Sequence, residues 1–283
     1  MKKIYMILLP ALMLVSCSKE FKMTTYPGGA GEAFFEDTEY SYAVSGDLAD
    51  SYTIDVYRAN PSGDAEVGIE ISVDDKLDGV FSAPETVKFA DGKYESSVTV
   101  SFDRSKLDIR VKNSVSVKLK SETKLPYDTE CTLVVMRDYT WKAYAKGTYT
   151  SAFLTAVFGE AMTWEQELEV AEENAKLYRF KDLYHNAGTK YTKAGYHMEI
   201  IWDGASTTVK FVEEADEDGI VEIASGFIHP SLGMFYLGVD SSPEYTGYDP
   251  ADKTFTFNGA IWISSQRQVT DWGDETYKIT EIL

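Results

Sequence analysis

Cysteine, histidine and basic residues are the scarce types in this chain: it has 2 Cys, 3 His and 27 Lys plus Arg against 46 Asp plus Glu. Each scarcity removes something. Two cysteines cannot build the disulfide framework on which small secreted folds depend. His185, His197 and His229 match no zinc-binding spacing, and no His-Glu-x-x-His run or paired-cysteine set accompanies them, so a zinc centre has no ligand signature. A Gly-x-Ser-x-Gly nucleophile elbow is also missing. The net charge of −19 at pH 7 repels phosphate backbones and anionic headgroups, which excludes nucleic-acid binding and a polybasic membrane patch. Long apolar runs are lacking too: the one over residues 4–15 falls short of the ~20 residues a spanning helix needs.

That short run is informative in its own right. Lys2 and Lys3 precede it, and a basic start, a short apolar core and small residues before a cut describe a secretory leader. Leu14-Val15-Ser16-Cys17 resembles the bacterial lipobox. The resemblance implies removal of residues 1–16, acylation of Cys17 with diacylglycerol and palmitate, and anchoring in the outer membrane of a Gram-negative bacterium, each buried CH₂ adding ~0.8 kcal/mol. Ser18-Lys19-Glu20 supplies one acid after the cysteine and leaves the membrane face open. With Cys17 acylated, Cys131 has no partner, and its run Cys131-Thr132-Leu133-Val134-Val135-Met136 predicts a buried small hydrophobe. Residues 17–37, with Pro27-Gly28-Gly29-Ala30-Gly31, read as lipidated cysteine and flexible tether.

A hydrophobic content of 44% with 13% aromatics is ample for packed cores. Ile54 and Val56 alternate with polar neighbours, as do Ile69, Ile71 and Val73, then Val98, Val100 and Phe102, then Val115, Val117 and Leu119. Period two predicts half-buried antiparallel strands, and Asn60-Pro61-Ser62-Gly63-Asp64 and Ala90-Asp91-Gly92-Lys93 mark turns between them. Residues 38–138 are expected to form a sandwich of about seven strands. Tyr42-Ala43-Val44-Ser45, Ile54-Asp55-Val56-Tyr57-Arg58, Phe81-Ser82-Ala83-Pro84, Val87-Lys88-Phe89-Ala90-Asp91-Gly92 and Ser97-Val98-Thr99-Val100 resemble the Calx-β and related immunoglobulin-like modules. Calx-β domains of exchangers hold Ca²⁺ at one end with a Glu after the first strand; here Gly46-Asp47 stands in its place, although Asp74, Asp75 and Asp78 share a loop.

All 5 tryptophans lie beyond residue 138, where strand signals continue: Tyr149 with Ser151, residues 197–202 and 208–212, Phe255 with Phe257, and residues 260–264 and 277–282. Residues 139–283 are therefore expected to form a second antiparallel sandwich or barrel, giving an all-β chain. Trp202-Asp203-Gly204 predicts a hairpin, and residues 165–176 read as strand plus turn. Trp141, Gly147-Thr148-Tyr149-Thr150 and Leu177-Tyr178-Arg179-Phe180 resemble the C-terminal domains of lipoproteins from gut Bacteroidota, many associated with glycan-uptake systems. The resemblance implies a polysaccharide or oligosaccharide ligand and an outer-membrane transporter or enzyme as partner.

Three constellations bear on chemistry. Glu213-Glu214-Ala215-Asp216-Glu217-Asp218-Gly219 places oxygen donors at alternating positions with a glycine sixth from Glu214, as in an EF-hand loop, though Ser225 stands at the twelfth place. Glu214, Asp216 and Asp218 are its candidate Ca²⁺ ligands, against a plain acidic turn. Glycoside hydrolysis requires only two carboxylates about 5 to 10 Å apart, which so acidic a chain supplies without locating. The aromatics give the sharper lead. Sugars stack their C–H faces on Trp or Tyr rings while acids and amides take the hydroxyls. Asp271-Trp272-Gly273-Asp274-Glu275 and Tyr245-Thr246-Gly247-Tyr248-Asp249 have that composition in loop-like contexts. Trp272, Asp271, Asp274, Tyr245, Tyr248 and Asp249 are the candidate ligand-binding residues, with Tyr184-His185-Asn186 and Tyr191 behind them, while Trp141, Trp164 and Trp262 are expected in the core. The leading expectation is a non-catalytic glycan-binding lipoprotein on an immunoglobulin-like spacer. The alternative is a structural, adhesin or protein-interaction lipoprotein, and a glycoside hydrolase stands third.

Overall fold

The alternating segments become three β-sheets in a computed structural model that describes residues 28–121, 127–263 and 267–283. The leader, Cys17 and the first part of the tether lie outside the described residues. The first nine strands are β1 (Ala33–Phe34), β2 (Glu39–Val44), β3 (Ser51–Arg58), β4 (Ala65–Val73), β5 (Phe81–Ser82), β6 (Thr86–Phe89), β7 (Glu95–Phe102), β8 (Lys112–Lys120) and β9 (Glu130–Arg137). They form one sheet in the order β1-β3-β7-β5 and a second in the order β2-β9-β8-β4-β6. The inward residues of both sheets share one core, in which Ile54, Val56, Val98 and Val100 meet Val115, Val117, Leu133 and Val135. Each such side chain contributes ~1.5–3 kcal/mol by leaving water.

Three details depart from the sequence reading. The sandwich starts at β1, inside the expected tether, because Ala33 and Phe35 are buried. It has nine strands rather than about seven, the two-residue β1 and β5 being too short to show a period. One pair is not antiparallel: β2 runs parallel to β9, from Glu39 beside Thr132 to Val44 beside Arg137. Cys131 is a free buried thiol, pushed up to about 12 mainly by burial. Arg58 holds the sandwich's turns, with its side chain 2% exposed and donating to the carbonyls of Lys93, Pro61, Gly63 and Ala90 at 2.7–2.9 Å.

The second half of the chain supplies β10 (Trp141–Ser151), α1 (Ala152–Phe158), β11 (Met162–Ala171), β12 (Asn174–Phe180), β13 (Met198–Ile201), β14 (Lys210–Phe211), β15 (Ile220–His229), β16 (Gly233–Asp240), β17 (Thr246–Asp249), β18 (Thr254–Ile263), β19 (Arg267–Gln268) and β20 (Gly273–Ile282). These strands make one sheet in the order β14-β13-β12-β11-β10-β20-β18-β16-β15, with β17 and β19 added on β18. The sheet curls until it nearly closes. Lys193 N–H donates to Gly226 O at 3.0 Å and Ile228 N–H to Tyr191 O at 2.9 Å, stitching the loop before β13 to β15. Gly226 takes φ +72, and a Cβ there would meet Lys193 O and the Tyr196 ring at 2.8 Å, so the seam requires glycine. α1 packs over one end, with Phe153 against Tyr184, Phe227 and Phe235.

Trp202, placed at a hairpin corner by the sequence, is the tryptophan in this core, 2% exposed and with Nε1 donating to Ser206 O at 2.9 Å. Its turn is wide: β13 and β14 pair through Ile200 with Phe211 across residues 202–209. Trp141, Trp164 and Trp262, expected inside, are each half-buried. Trp141 lies under the Arg179 guanidinium, 4.3 Å from it, on the barrel's outer surface.

That outer surface also meets the sandwich. Arg110, at φ 61, donates to both oxygens of Glu199 at 2.7 and 2.6 Å and to Asp138 at 2.9 Å. Glu173 accepts from Thr140 N–H at 2.8 Å and from Arg137 at 3.3 Å. Bidentate guanidinium–carboxylate pairing fixes orientation as well as distance, so the short segment between β9 and β10 is clamped on both sides.

Candidate functional site

Strand β18 organises the candidate residues. Its side chains alternate, with Phe255 and Phe257 buried in the barrel and Thr254, Thr256 and Asn258 on the outer face. Asn258 stands opposite Asp274 on β20 and donates Nδ2–H to its carboxylate at 2.7 Å. On the other edge, Asn258 N–H donates to Tyr245 O at 3.1 Å. Tyr245 and Asp274, distant in sequence, therefore flank one strand about 10 Å apart, two strand spacings. Tyr245 is 47% exposed, and its loop is pinned by Ser242 N–H to Asp240 at 2.9 Å and by Thr246 Oγ1–H to Asp240 O at 2.6 Å.

Trp272 lies at the approach to β20, 41% exposed. With Asp271, residues 268–270 and the Ala152 and Ala156 face of α1 it lines a hollow of about 620 Å³, a size that suits one or two sugar rings. Its loop is tied to β18: Thr270 Oγ1 accepts Ile261 N–H at 3.1 Å, and Gln268 Nε2–H donates to Thr270 O at 2.7 Å. Trp262, further along the outer face of β18, lies so close over Gly238 that any β-carbon there would collide with the indole. Its buried Nε1 has no hydrogen-bond partner among the described residues.

Tyr245, Tyr248 and Asp249 line a separate hollow of about 340 Å³ with Thr207 and Thr208. Within it Tyr248 is a wall: its ring packs 4.7 Å from both Trp202 and Phe255, and burial raises its hydroxyl. Asp249 accepts Ala251 N–H at 2.8 Å in a turn. Five of the six candidates thus divide between two hollows, Trp272 and Asp271 in one and Tyr245, Tyr248 and Asp249 in the other, while Asp274 lines neither and pairs with Asn258 on the strand between the two loops. Of the secondary candidates, Tyr184 is buried, Asn186 is bound to Gln166 and Lys181 O at 3.1 and 2.9 Å, and Tyr191 packs 5.8 Å from Phe227. Asn258, Trp262, Gln268 and Thr270 were not legible as site residues, since only strand pairing brings them beside the two loops.

The acidic loop takes another form from an EF-hand. Glu214, Asp216 and Asp218 are exposed, and Asp216 Oδ1 accepts the N–H groups of Asp218 and Ile220 at 3.0 and 2.9 Å. That carboxylate shapes the turn into β15. Among the described residues no group of three or more His, Cys, Asp or Glu side chains is poised to hold a metal ion. His197 accepts Asp182 N–H at 3.0 Å, and burial followed by Arg179 lowers its titration. His229 stacks 5.9 Å from Phe235.

Beneath the larger hollow sits a carboxyl that composition did not single out. Glu275 is 0% exposed. One oxygen accepts from Ser151 Oγ at 2.9 Å and Phe153 N–H at 2.7 Å, and the other from Tyr184 OH at 3.2 Å. Burial pushes it up to about 7 against the pull of those donors. Tyr149 OH, buried beside it, meets no partner within hydrogen-bond geometry among the described residues.

No family model and no curated protein matches the sequence. Among solved structures, a protein of unknown function from Bacteroides ovatus is 13% identical, with a TM-score of 0.31 over 88% of this chain and 92% of that one. A multidomain protein including DUF1735 from the same species is 14% identical, TM-score 0.31, over 89% and 91%. An auxiliary nutrient binding protein from Bacteroides thetaiotaomicron VPI-5482 is 12% identical, TM-score 0.30, over 86% and 90%.

Proposed function

We propose that this chain is a lipid-anchored outer-membrane protein that binds glycan without cleaving it, the barrel carrying the ligand surface and the sandwich acting as spacer. The observation that supports it most is the pairing of two exposed rings, Trp272 and Tyr245, with Asp271, Asn258 and Asp274 on either side of β18. A ring offers a stacking face for a pyranose, and the neighbouring amide and carboxylates take hydroxyls. Both loops are tied to strands, so little ordering remains to be done on binding, which favours affinity. Each hollow alone would bind weakly, and a polysaccharide spanning both would gain from their proximity. An outer-membrane transporter or enzyme would receive the captured chain.

The test is retention of the protein from Ser18 onward, which keeps every described residue, on a panel of plant, host and microbial polysaccharides, beside a Trp272→Ala, Tyr245→Ala variant. Retention on one glycan class that the variant loses supports the reading. Silence across the panel from folded protein overturns it. One observation favours a protein-contact role instead: Phe34 and Tyr127 stack at 4.2 Å on the sandwich, with Tyr127 50% exposed. Capture of a specific partner that Tyr127→Ala abolishes would move the function to that surface.

A further inference from the structure

Glu275 joins two walls of the larger hollow. Ser151 caps α1, its hydroxyl accepting Leu154 N–H at 2.9 Å and donating to Glu275; the second residue of the helix, Phe153, gives the same oxygen its N–H. Ala152 and Ala156 of that helix line the hollow. Glu275 itself lies three residues after Trp272. Contact between the walls is tight: a β-carbon on Gly273 would sit 2.8 Å from Ala152 Cβ.

The groups facing this carboxyl are Ser151 and Tyr149 from β10, Phe153 N–H from α1, and Tyr184 from the loop after β12. Phe257 faces it across β18, and Tyr277, two residues along β20, turns its hydroxyl to Ala145 O and Gln166 O. None of these carries charge at neutral pH, and the hydroxyls and amide that bond the carboxyl all act as donors to it. A carboxylate satisfies donors on both oxygens. A neutral carboxyl must donate with one of them; the oxygen toward α1 is taken by Ser151 and Phe153 N–H, so the proton goes to the oxygen facing Tyr184. A hydroxyl to receive that proton is at hand in Tyr149 OH, fully buried beside the carboxyl, and the oxygen toward α1 then accepts as a neutral carbonyl, without the charge that makes such bonds about twice as strong.

We propose that Glu275 is a positioning residue for the hollow: its ionised form draws the start of α1 against the strand carrying Trp272 through charge-assisted bonds from Ser151 and Phe153 N–H, and its neutral form, which accepts those bonds more weakly, lets the two walls separate. The proposal deepens the glycan reading by making ligand retention pH-dependent, and it rests on that reading for its function but not for its structural test. Burial that raises Glu275 to about 7 places the change near neutral pH, where both forms are populated.

The test follows the five indole N–H resonances of ¹⁵N-labelled protein from Ser18 onward between pH 5 and 9, without ligand, with Trp272→Phe assigning the relevant one. The Trp272 signal is expected to titrate with a midpoint near 7. Glu275→Gln, neutral at every pH, should hold it at the wild-type acid position throughout. Ser151→Ala removes a donor that favours the carboxylate and should move the midpoint upward; this variant decides the matter if Glu275→Gln does not fold. A static Trp272 signal in wild type, an unchanged titration in Glu275→Gln, or an unchanged midpoint in Ser151→Ala would each overturn the proposal. Glycan retention, read separately, should fall severalfold from pH 8 to pH 6 in wild type and not in Glu275→Gln. Failure on the polysaccharide panel with Trp272 still titrating would remove the glycan reading and leave the coupling intact.

Discussion

The sandwich and the barrel are built of the same strands and bury opposite kinds of chemistry. The sandwich core is largely aliphatic, and its buried charge, Arg58, lies at the turns with its hydrogen bonds spent on carbonyls. The barrel core is crowded with rings, and it buries Glu275, Gln166 and Ser151 among Tyr149, Tyr184 and Tyr277. An aliphatic core is filled by shape alone. A core of tyrosines brings hydroxyls inside, and those need partners. One core is thus filled by shape and the other carries a group whose charge depends on its surroundings.

The difference can be broken first at Arg58. Arg58→Met leaves several buried carbonyls without a donor and should cost about 3–5 kcal/mol. Because arginine keeps its charge at every pH a fold survives, urea midpoints at pH 5 and pH 8 should fall equally. The barrel should behave otherwise. A carboxyl raised from 4.5 to about 7 on folding holds its proton more tightly in the folded state. Its stability contribution is therefore fully present below pH 4.5, is lost progressively as pH rises to 7, and is flat above, a decline of about 3 kcal/mol. Tryptophan-detected urea unfolding reports it, since every tryptophan is in the barrel, and Glu275→Gln should flatten the profile.

Two smaller effects belong to the junction and to the ligand surface. Arg110→Ala removes the bidentate clamp on Glu199; the arginine is partly open to solvent although Glu199 is buried, and the loss should cost about 1 kcal/mol or more; its signature is a wider gap between the tryptophan-detected and far-ultraviolet transitions. Trp272→Ala should leave stability within about 0.5 kcal/mol while lowering glycan retention at least tenfold, as loss of a ring at the centre of an interface does. Affinity chromatography and thermal melts of the same preparation check both halves of that statement.

What the sequence showed follows from where its physics is local. Val and Ile alternation in β3, β7 and β8 is a property of neighbours in the chain, so those strands and the all-β class were legible. β15 and β16 were not: the register of their pair shifts between Ala224 and Ile228, which breaks the period. α1 has seven residues, and its first turn is held by Glu275 from 122 residues away, a support no window along the chain contains. The tryptophans were misplaced for a related reason. A Trp-Asp-Gly run carries turn chemistry, and here Asp203 and Gly204 shape the turn, Asp203 accepting Ala205 and Ser206 N–H at 3.0 and 2.7 Å and Gly204 taking φ 85, while Trp202 turns inward. The two aromatic loops were readable as composition, but their meeting across Asn258 depends on strand order.

The parallel pairing of β2 with β9 has a mechanical meaning. Past the two-residue β1, the chain on the tether side enters at the start of β2, and the chain toward the barrel leaves at the end of β9. A pull between those two points runs along both strands, so the six residue pairs between them resist together in shear rather than opening one after another like a zipper. If the proposed anchor and polymer ligand hold the two ends of the chain, they apply that pull, and the pairing of β2 with β9 is the arrangement that withstands it.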